Sequence, residues 1–189
     1  MGTMTLSPIL STLSLLALAA WAPASALRAA ESAPAAAPAA QQAPGKVAQA
    51  LAQLPTFNGR PAADAQYYIY LQSASWCGPC CAEMPEIARL YPEMRKAKVE
   101  LILIGCDASP EADLAFLQKY HAAFPGVHYQ EEALSTLPGY TPAQGIPDAT
   151  FVDREGKVIL RSHGSAIKYW RRIIDKYEAE LTQPTPEAP

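Results

Sequence analysis

A surplus of charge of either sign is missing from this sequence: 15 Lys and Arg face 18 Asp and Glu, for a net charge of −3 over 189 residues. Binding to nucleic acid phosphates needs a basic stripe, and none is present, so nucleic acid is excluded as a partner. Histidine is scarce, with three residues at 121, 128 and 163, and no internal repeat is visible. Cysteine is scarce too, four residues in all, yet three of them fall within SASWCGPCCAEMP, residues 73 to 85, as Cys77, Cys80 and Cys81. The remaining composition, 50% apolar, suits one soluble domain with a real core and flanking extras.

Charge is absent altogether from residues 1 to 27, where Ile9 to Ala22 form an apolar run of signal-peptide length and Ala24-Ser25-Ala26 supplies the small-x-small pattern of a cleavage site. Residues 1 to 26 are read as a leader. Because the first eight residues carry no Lys or Arg, an uncleaved N-terminal membrane anchor over about residues 6 to 27 stays open as the alternative. Either reading exports the domain to the periplasm or cell envelope, where cysteines meet an oxidising compartment. Residues 27 to 44 are rich in Ala and Pro and read as a linker, 45 to 182 as the folded domain, and 183 to 189 as a tail that cannot pack.

Inside the domain, YYIYLQ (67 to 72) and VELILIG (99 to 105) have the bulky, continuous apolar character of central strands covered on both faces. Between them Met84, Ile87, Ala88 and Tyr91 recur at helical spacing, which gives a strand, helix, strand crossover; Pro92 is expected to end or kink this helix. Residues 111 to 124 read as a second helix. ATFVD and KVILRS flank Arg154-Glu155-Gly156 as an antiparallel hairpin, and a last helix from about Ser165 is expected to bury Ile167, Trp170, Ile174, Tyr177 and Leu181. The pattern is an α/β fold, a central mixed sheet flanked by helices.

The cysteines follow a strand and open a helix. Cys77 therefore sits where unpaired N–H groups and the helix dipole favour a thiolate, and Cys80 lies one turn on, across a loop shaped by Gly78 and Pro79. A redox couple, a metal site and a structural staple all use cysteines. A metal site would draw on Cys77, Cys81 and His163, yet there is no second Cys-x-x-Cys and no histidine near the motif. A staple closing so short a loop removes little unfolded-state entropy. Cys81 reads as a helix-surface passenger and Cys106 as a buried small hydrophobe ending a strand.

SASWCGPC after a strand, Pro85 five residues beyond Cys80, and the later GIPDATFVD and GKVI together resemble the thioredoxin-like superfamily. The SASWC lead-in is similar to the tryparedoxin and nucleoredoxin branch, and CCAEMP to exported TlpA/ResA-like thiol reductases. The resemblance implies a thioredoxin-like fold and a protein-disulfide reductase without a dissociable cofactor. In it Cys77 attacks, Cys80 resolves, Trp76 walls the site, and Ile146 with a cis-Pro147 seats the substrate backbone. Protein disulfides would be the substrates, with a membrane thiol as electron donor. Two positions depart from the family. Leu71 stands where a buried acid is usual, which makes Glu83 the candidate proton acceptor, with a plain first-turn acid as the alternative; and Asp148 follows Pro147 where Thr is normal. Residues 106 to 146 exceed the minimal connection, so extra elements are expected to border the site. A copper-binding assembly factor and a non-catalytic interaction module of the same fold are the rival functions.

Overall fold

The computed structural model describes residues 43 to 163 and 166 to 183. The leader, most of the linker, and the tail from residue 184 lie outside the described residues, as does the side chain of His163. Among the described residues no helix is long and apolar enough to cross a membrane.

Five strands form one mixed sheet: β1 Tyr67–Ser73, β2 Val99–Gly105, β3 Gly126–His128, β4 Asp148–Asp153 and β5 Val158–His163, in the spatial order β3-β2-β1-β4-β5. β1 pairs parallel with β2 from Tyr67↔Val99 to Ser73↔Gly105, and antiparallel with β4. β2 pairs parallel with β3, and β4 antiparallel with β5. The β4–β5 turn closes through Gly156, whose φ of 88° is a conformation other residues rarely adopt. This is the thioredoxin-like α/β arrangement the motifs imply.

Alternation along β1 and β2 sends side chains to two cores. Ile69, Leu71, Leu101 and Leu103 pack with Met84, Ile87 and Met94 of α2 (Gly78–Lys96) and with Trp170 and Ile174 of α4 (Trp170–Thr182). Tyr68, Tyr70, Ile102 and Ile104 pack with Val47 and Leu51 of α1 (Lys46–Leu51) and with Leu134 and Leu137. Leu134 belongs to a short 3₁₀ turn, Glu132–Thr136, inside the long 106 to 146 connection. The remaining α-helix, α3, spans Pro110–Lys119 and is capped by the Ser109 hydroxyl, which accepts from the Ala112 N–H at 3.3 Å.

Several expectations need correction. Pro92 does not end the first long helix: both Pro85 and Pro92 lie inside α2, which runs on to Lys96. The second helix stops at Lys119 instead of 124, because Tyr120 closes it and His121 turns to φ 52°, while Ala122 and Phe124 stay buried through tertiary packing. The last helix begins as a 3₁₀ turn, Ile167–Tyr169, and Leu181 is 60% exposed, outside the buried stripe of Ile167, Trp170, Ile174 and Tyr177.

Candidate active site

β1 delivers the chain to the site and α2 begins there. Cys77 is the N-cap of α2 and forms a disulfide with Cys80 across the first turn. The Cys80 N–H points at the Cys77 sulfur at 3.2 Å, so an orphan donor of the helix start already faces the atom that would carry charge in the reduced state. Gly78 and Pro79 fill the loop between the two sulfurs and are exposed, whereas Cys77 and Cys80 are buried. At Gly78 an added Cβ would meet nothing, so the loop's outer side is open.

The 74 to 77 segment is fixed from two sides. Cys106 and Asp107 follow β2 as Ala74 and Ser75 follow β1, and the parallel register Ser73↔Gly105 sets them side by side. The buried Asp107 carboxylate accepts from the Ser75 hydroxyl at 2.7 Å and from the Ser75 N–H at 3.0 Å. From the helix side, the Cys81 thiol donates to the Ser75 carbonyl at 3.1 Å. Cys81 is therefore half-buried and bonded to the loop rather than a free surface passenger. Asp107 is held in turn, its N–H donating to Asp113 Oδ1 at 3.0 Å, and Asp113 Oδ2 lies 2.6 Å from His128 Nδ1. Burial pushes the Asp113 carboxyl up from the usual carboxylate range, and the contact with His128 opposes that shift.

Opposite the disulfide, the Ile146–Pro147 peptide is cis, and the Ile146 carbonyl oxygen lies 3.7 Å from Cys77 Sγ. Cys77 opens onto a groove of about 690 Å³. One wall is Trp76, Cys106 and Tyr129; the other is Ala143, Gln144, Gly145 and Ile146. Trp76 is 69% exposed and donates its indole N–H to the Cys106 carbonyl at 3.3 Å. Cys106 is half-buried and lines this groove, not the core, and burial, helped by Asp113, pushes its thiol up to about 11. Glu83 lies one helical turn beyond Cys80 on α2 and is half-buried. Asp148 is fully buried at the start of β4, with Arg161 Nε 3.5 Å from its Oδ1.

The structure thus brings Trp76, Cys77, Gly78, Pro79 and Ile146 to one groove, with Cys80 and Pro147 beneath it and Glu83 further along the helix. Sequence reasoning did not find Asp107, Tyr129, Gln72 or the groove face of Cys106. A signal existed for Asp107 and Cys106, since residues at the carboxyl end of a strand parallel to the motif strand must flank the motif. Among the described residues, no three His, Cys, Asp or Glu side chains gather as a metal site.

A sequence profile described as the AhpC/TSA family matches residues 41–161. The chain is 33% identical over 109 residues to a thiol-disulfide oxidoreductase ResA from Bacillus thuringiensis subsp. konkukian, covering 57% of this chain and 59% of that protein. It is 28% identical over 102 residues to a nucleoredoxin from Arabidopsis thaliana, covering 49% of this chain and 17% of that one. The chain thus spans little more than half the length of the ResA relative it matches. Among solved structures, a thiol:disulfide interchange protein of the thioredoxin family from Chlorobium tepidum superposes with a TM-score of 0.53 at 21% identity, over 65% of this chain and 93% of that one. That likeness concerns the fold, and it agrees with the five-stranded mixed sheet described above. With the profile covering most of the domain and the motif lying within it, the chain belongs to the AhpC/TSA family.

Proposed function

We propose that this protein is an exported thiol:disulfide oxidoreductase that reduces protein disulfides. The observation that carries the reading is the Cys77–Cys80 disulfide at the start of α2, with a backbone N–H aimed at the Cys77 sulfur and an open groove above it. A thiolate at Cys77 is stabilised by the helix terminus, and the same sulfur is the one that faces the groove.

In the reduced protein the Cys77 thiolate attacks one sulfur of a substrate disulfide. A Cys77–substrate S–S bond forms, the substrate S–S bond breaks, and the departing thiolate takes up a proton. Cys80 then loses its proton, to Glu83 in this reading, and attacks Cys77 Sγ. The Cys77–Cys80 disulfide closes and the second substrate sulfur leaves as a thiolate, which takes up a proton from water as Glu83 returns its own to solvent. Two electrons and two protons have passed to the substrate. Trp76 and Ile146 flank the attacked sulfur, Gly78 and Pro79 keep the loop tight, and Pro147 supports the chain beneath it.

Export rests on residues 1 to 26 read as leader or anchor, with residues 27 to 44 as the tether. A reductant outside the cytoplasm must itself be re-reduced, which calls for a membrane thiol donor. The direction rests on CGPC, the thioredoxin dipeptide, and on the absence of a histidine inside the motif. Turnover of insulin disulfides by the dithiol-reduced protein tests the reading. Aggregation of the insulin B chain is expected with catalytic protein; none would leave a non-catalytic binding module of the same fold.

A further inference from the structure

The second wall of the groove is an irregular segment, yet side chains from three strands converge on it. Gln72 of β1, 3% exposed, donates from Nε2 to the Thr141 carbonyl at 3.0 Å and to Asp148 Oδ1 at 3.4 Å. Its Oε1 accepts from the Ala143 N–H at 2.8 Å and from the Tyr140 hydroxyl at 3.4 Å. Arg161 of β5 donates to the Pro142 carbonyl at 2.9 Å and the Thr141 carbonyl at 3.4 Å, while its Nε lies 3.5 Å from Asp148 Oδ1. Asp148 of β4 is wholly buried immediately after Pro147. Burying a carboxylate and an amide at one point is costly unless the groups find partners, and here Gln72 and Asp148 meet each other beneath the partly exposed Arg161 while Gln72 and Arg161 grip residues 141 to 143.

We propose that Gln72, Asp148 and Arg161 form a positioning cluster that sets the 141 to 146 segment as a rigid groove wall, and that the groove so formed selects disulfides in extended peptides whose flanking residues are uncharged and apolar. The inference rests on the oxidoreductase reading and adds its substrate class. Its selectivity follows from the lining: Trp76 and Tyr129 on one wall, Ala143, Gly145 and Ile146 on the other, and no charged side chain among the groove's described residues. Trp76 and Tyr129, 69% and 43% exposed, offer aromatic faces to apolar neighbours of the substrate cysteine. A charged flanking residue would lose water there without gaining a partner. Fixing the wall in advance removes the ordering cost that a loose segment would add to each binding event. The three residues touch the wall and not the substrate sulfur, so they act on KM through position.

The test uses two synthetic peptide disulfides of equal length, one flanked by Ala, Leu and Tyr and one by Asp and Lys, and a third peptide of the first kind with both cysteines replaced by serine. For the wild type we expect kcat/KM about tenfold higher on the uncharged peptide, and measurable calorimetric binding of the serine peptide. Arg161→Ala and, separately, Gln72→Leu should raise KM for the uncharged peptide about tenfold, with kcat and the reduction potential of the couple unmoved, and Arg161→Lys, which keeps a cationic donor for the Pro142 carbonyl, should recover part of the loss. Circular dichroism of each variant checks that the fold is retained. Wild-type turnover without preference, or variants that keep the wild-type KM, would overturn the inference while leaving the oxidoreductase reading intact. Binding of the serine peptide that is lost in both variants, with no turnover of either disulfide, would keep the groove and reject the catalysis. A wild type that neither binds nor discriminates overturns the inference.

Discussion

Cys77 Sγ and the carbonyl oxygen of Ile146 lie 3.7 Å apart although 69 residues separate them in the chain. The contact sets the first sulfur at the junction of both groove walls, and Cys80 does not reach the groove lining. Cys80→Ser should therefore accumulate mixed disulfides through Cys77, seen as a mass shift on incubation with a peptide disulfide, and Cys77→Ser should be inert. Full activity in Cys77→Ser would sink the assignment of the nucleophile.

Two thiols line one groove, and their titrations should differ. In the reduced protein, iodoacetamide should modify Cys77 first near neutral pH, while Cys106, pushed up to about 11 by burial and by Asp113, reacts only as the pH approaches that value. The sign for stability follows. A free thiol titrates near 8.5, so folded Cys106 holds its proton more tightly than the unfolded chain does; that contribution is complete below about 8.5 and is lost as pH rises through the folded value. Urea midpoints of wild type and Cys106→Ala should converge between those limits, and parallel pH profiles would count against it.

Glu83 stands one turn beyond Cys80 on α2. If it accepts the Cys80 proton, Glu83→Gln should slow resolution of a preformed mixed disulfide about 100-fold while attack by Cys77 changes little. Stopped-flow kinetics of the two steps separate them. Equal rates in both proteins would remove Glu83 from the resolving step; it is not a first-turn acid either, because α2 starts at Gly78 and its first turn holds no acid.

For the potential, equilibration of the Cys77–Cys80 couple with a dithiol buffer is expected to give a value nearer about −270 mV than about −120 mV, the thioredoxin and strong-oxidant ends of the scale. A value at the oxidising end reverses the proposed direction of electron flow.

Gly105 ends β2 against a carboxylate: an added Cβ would come within 2.0 Å of Asp113 Cγ. Asp113 cannot retreat without breaking its bonds to Asp107 and His128. Gly105→Ala should cost about 1–3 kcal/mol in chemical denaturation, as overpacking does in a closed core. A neutral result would mean that the Asp107–Asp113–His128 chain is loose.

Those residues also mark the limit of what was legible in advance. β1 and β2 announced themselves as unbroken apolar runs, and the strand-to-helix placement of the cysteines followed from them. β3 did not, because Gly126–His128 is three residues long and follows Pro125, so no periodicity can show in it. α3 was read too long because Ala122 and Phe124 continue an apolar pattern that serves the core from outside the helix. At the site, Trp76, Gly78, Pro79 and Pro147 were legible as parts of a motif. Gln72 and Arg161 were not: each lies in an apolar strand and gains meaning only from partners such as Thr141, 69 residues from Gln72 and 20 from Arg161.

The sheet order leaves β3 and β5 at its two margins, where unpaired backbone groups could recruit a strand from another molecule. Each margin is blunted differently. β3 is cut to three residues, and Phe57 bridges to Gly126 across its open side, close enough that a Cβ there would strike the ring. β5 is full length, but its register with β4 slips between Phe151 and Val152, and it carries the charge of Arg161 midway along. Under the proposed function the protein meets loose strands in disulfide-bearing substrates, and a sheet with neither margin straight and apolar gives them nowhere to stack. The arginine that braces the groove wall thus also puts a charge on the sheet's full-length margin, so Arg161→Ala is expected to lower the solubility of concentrated protein besides raising KM.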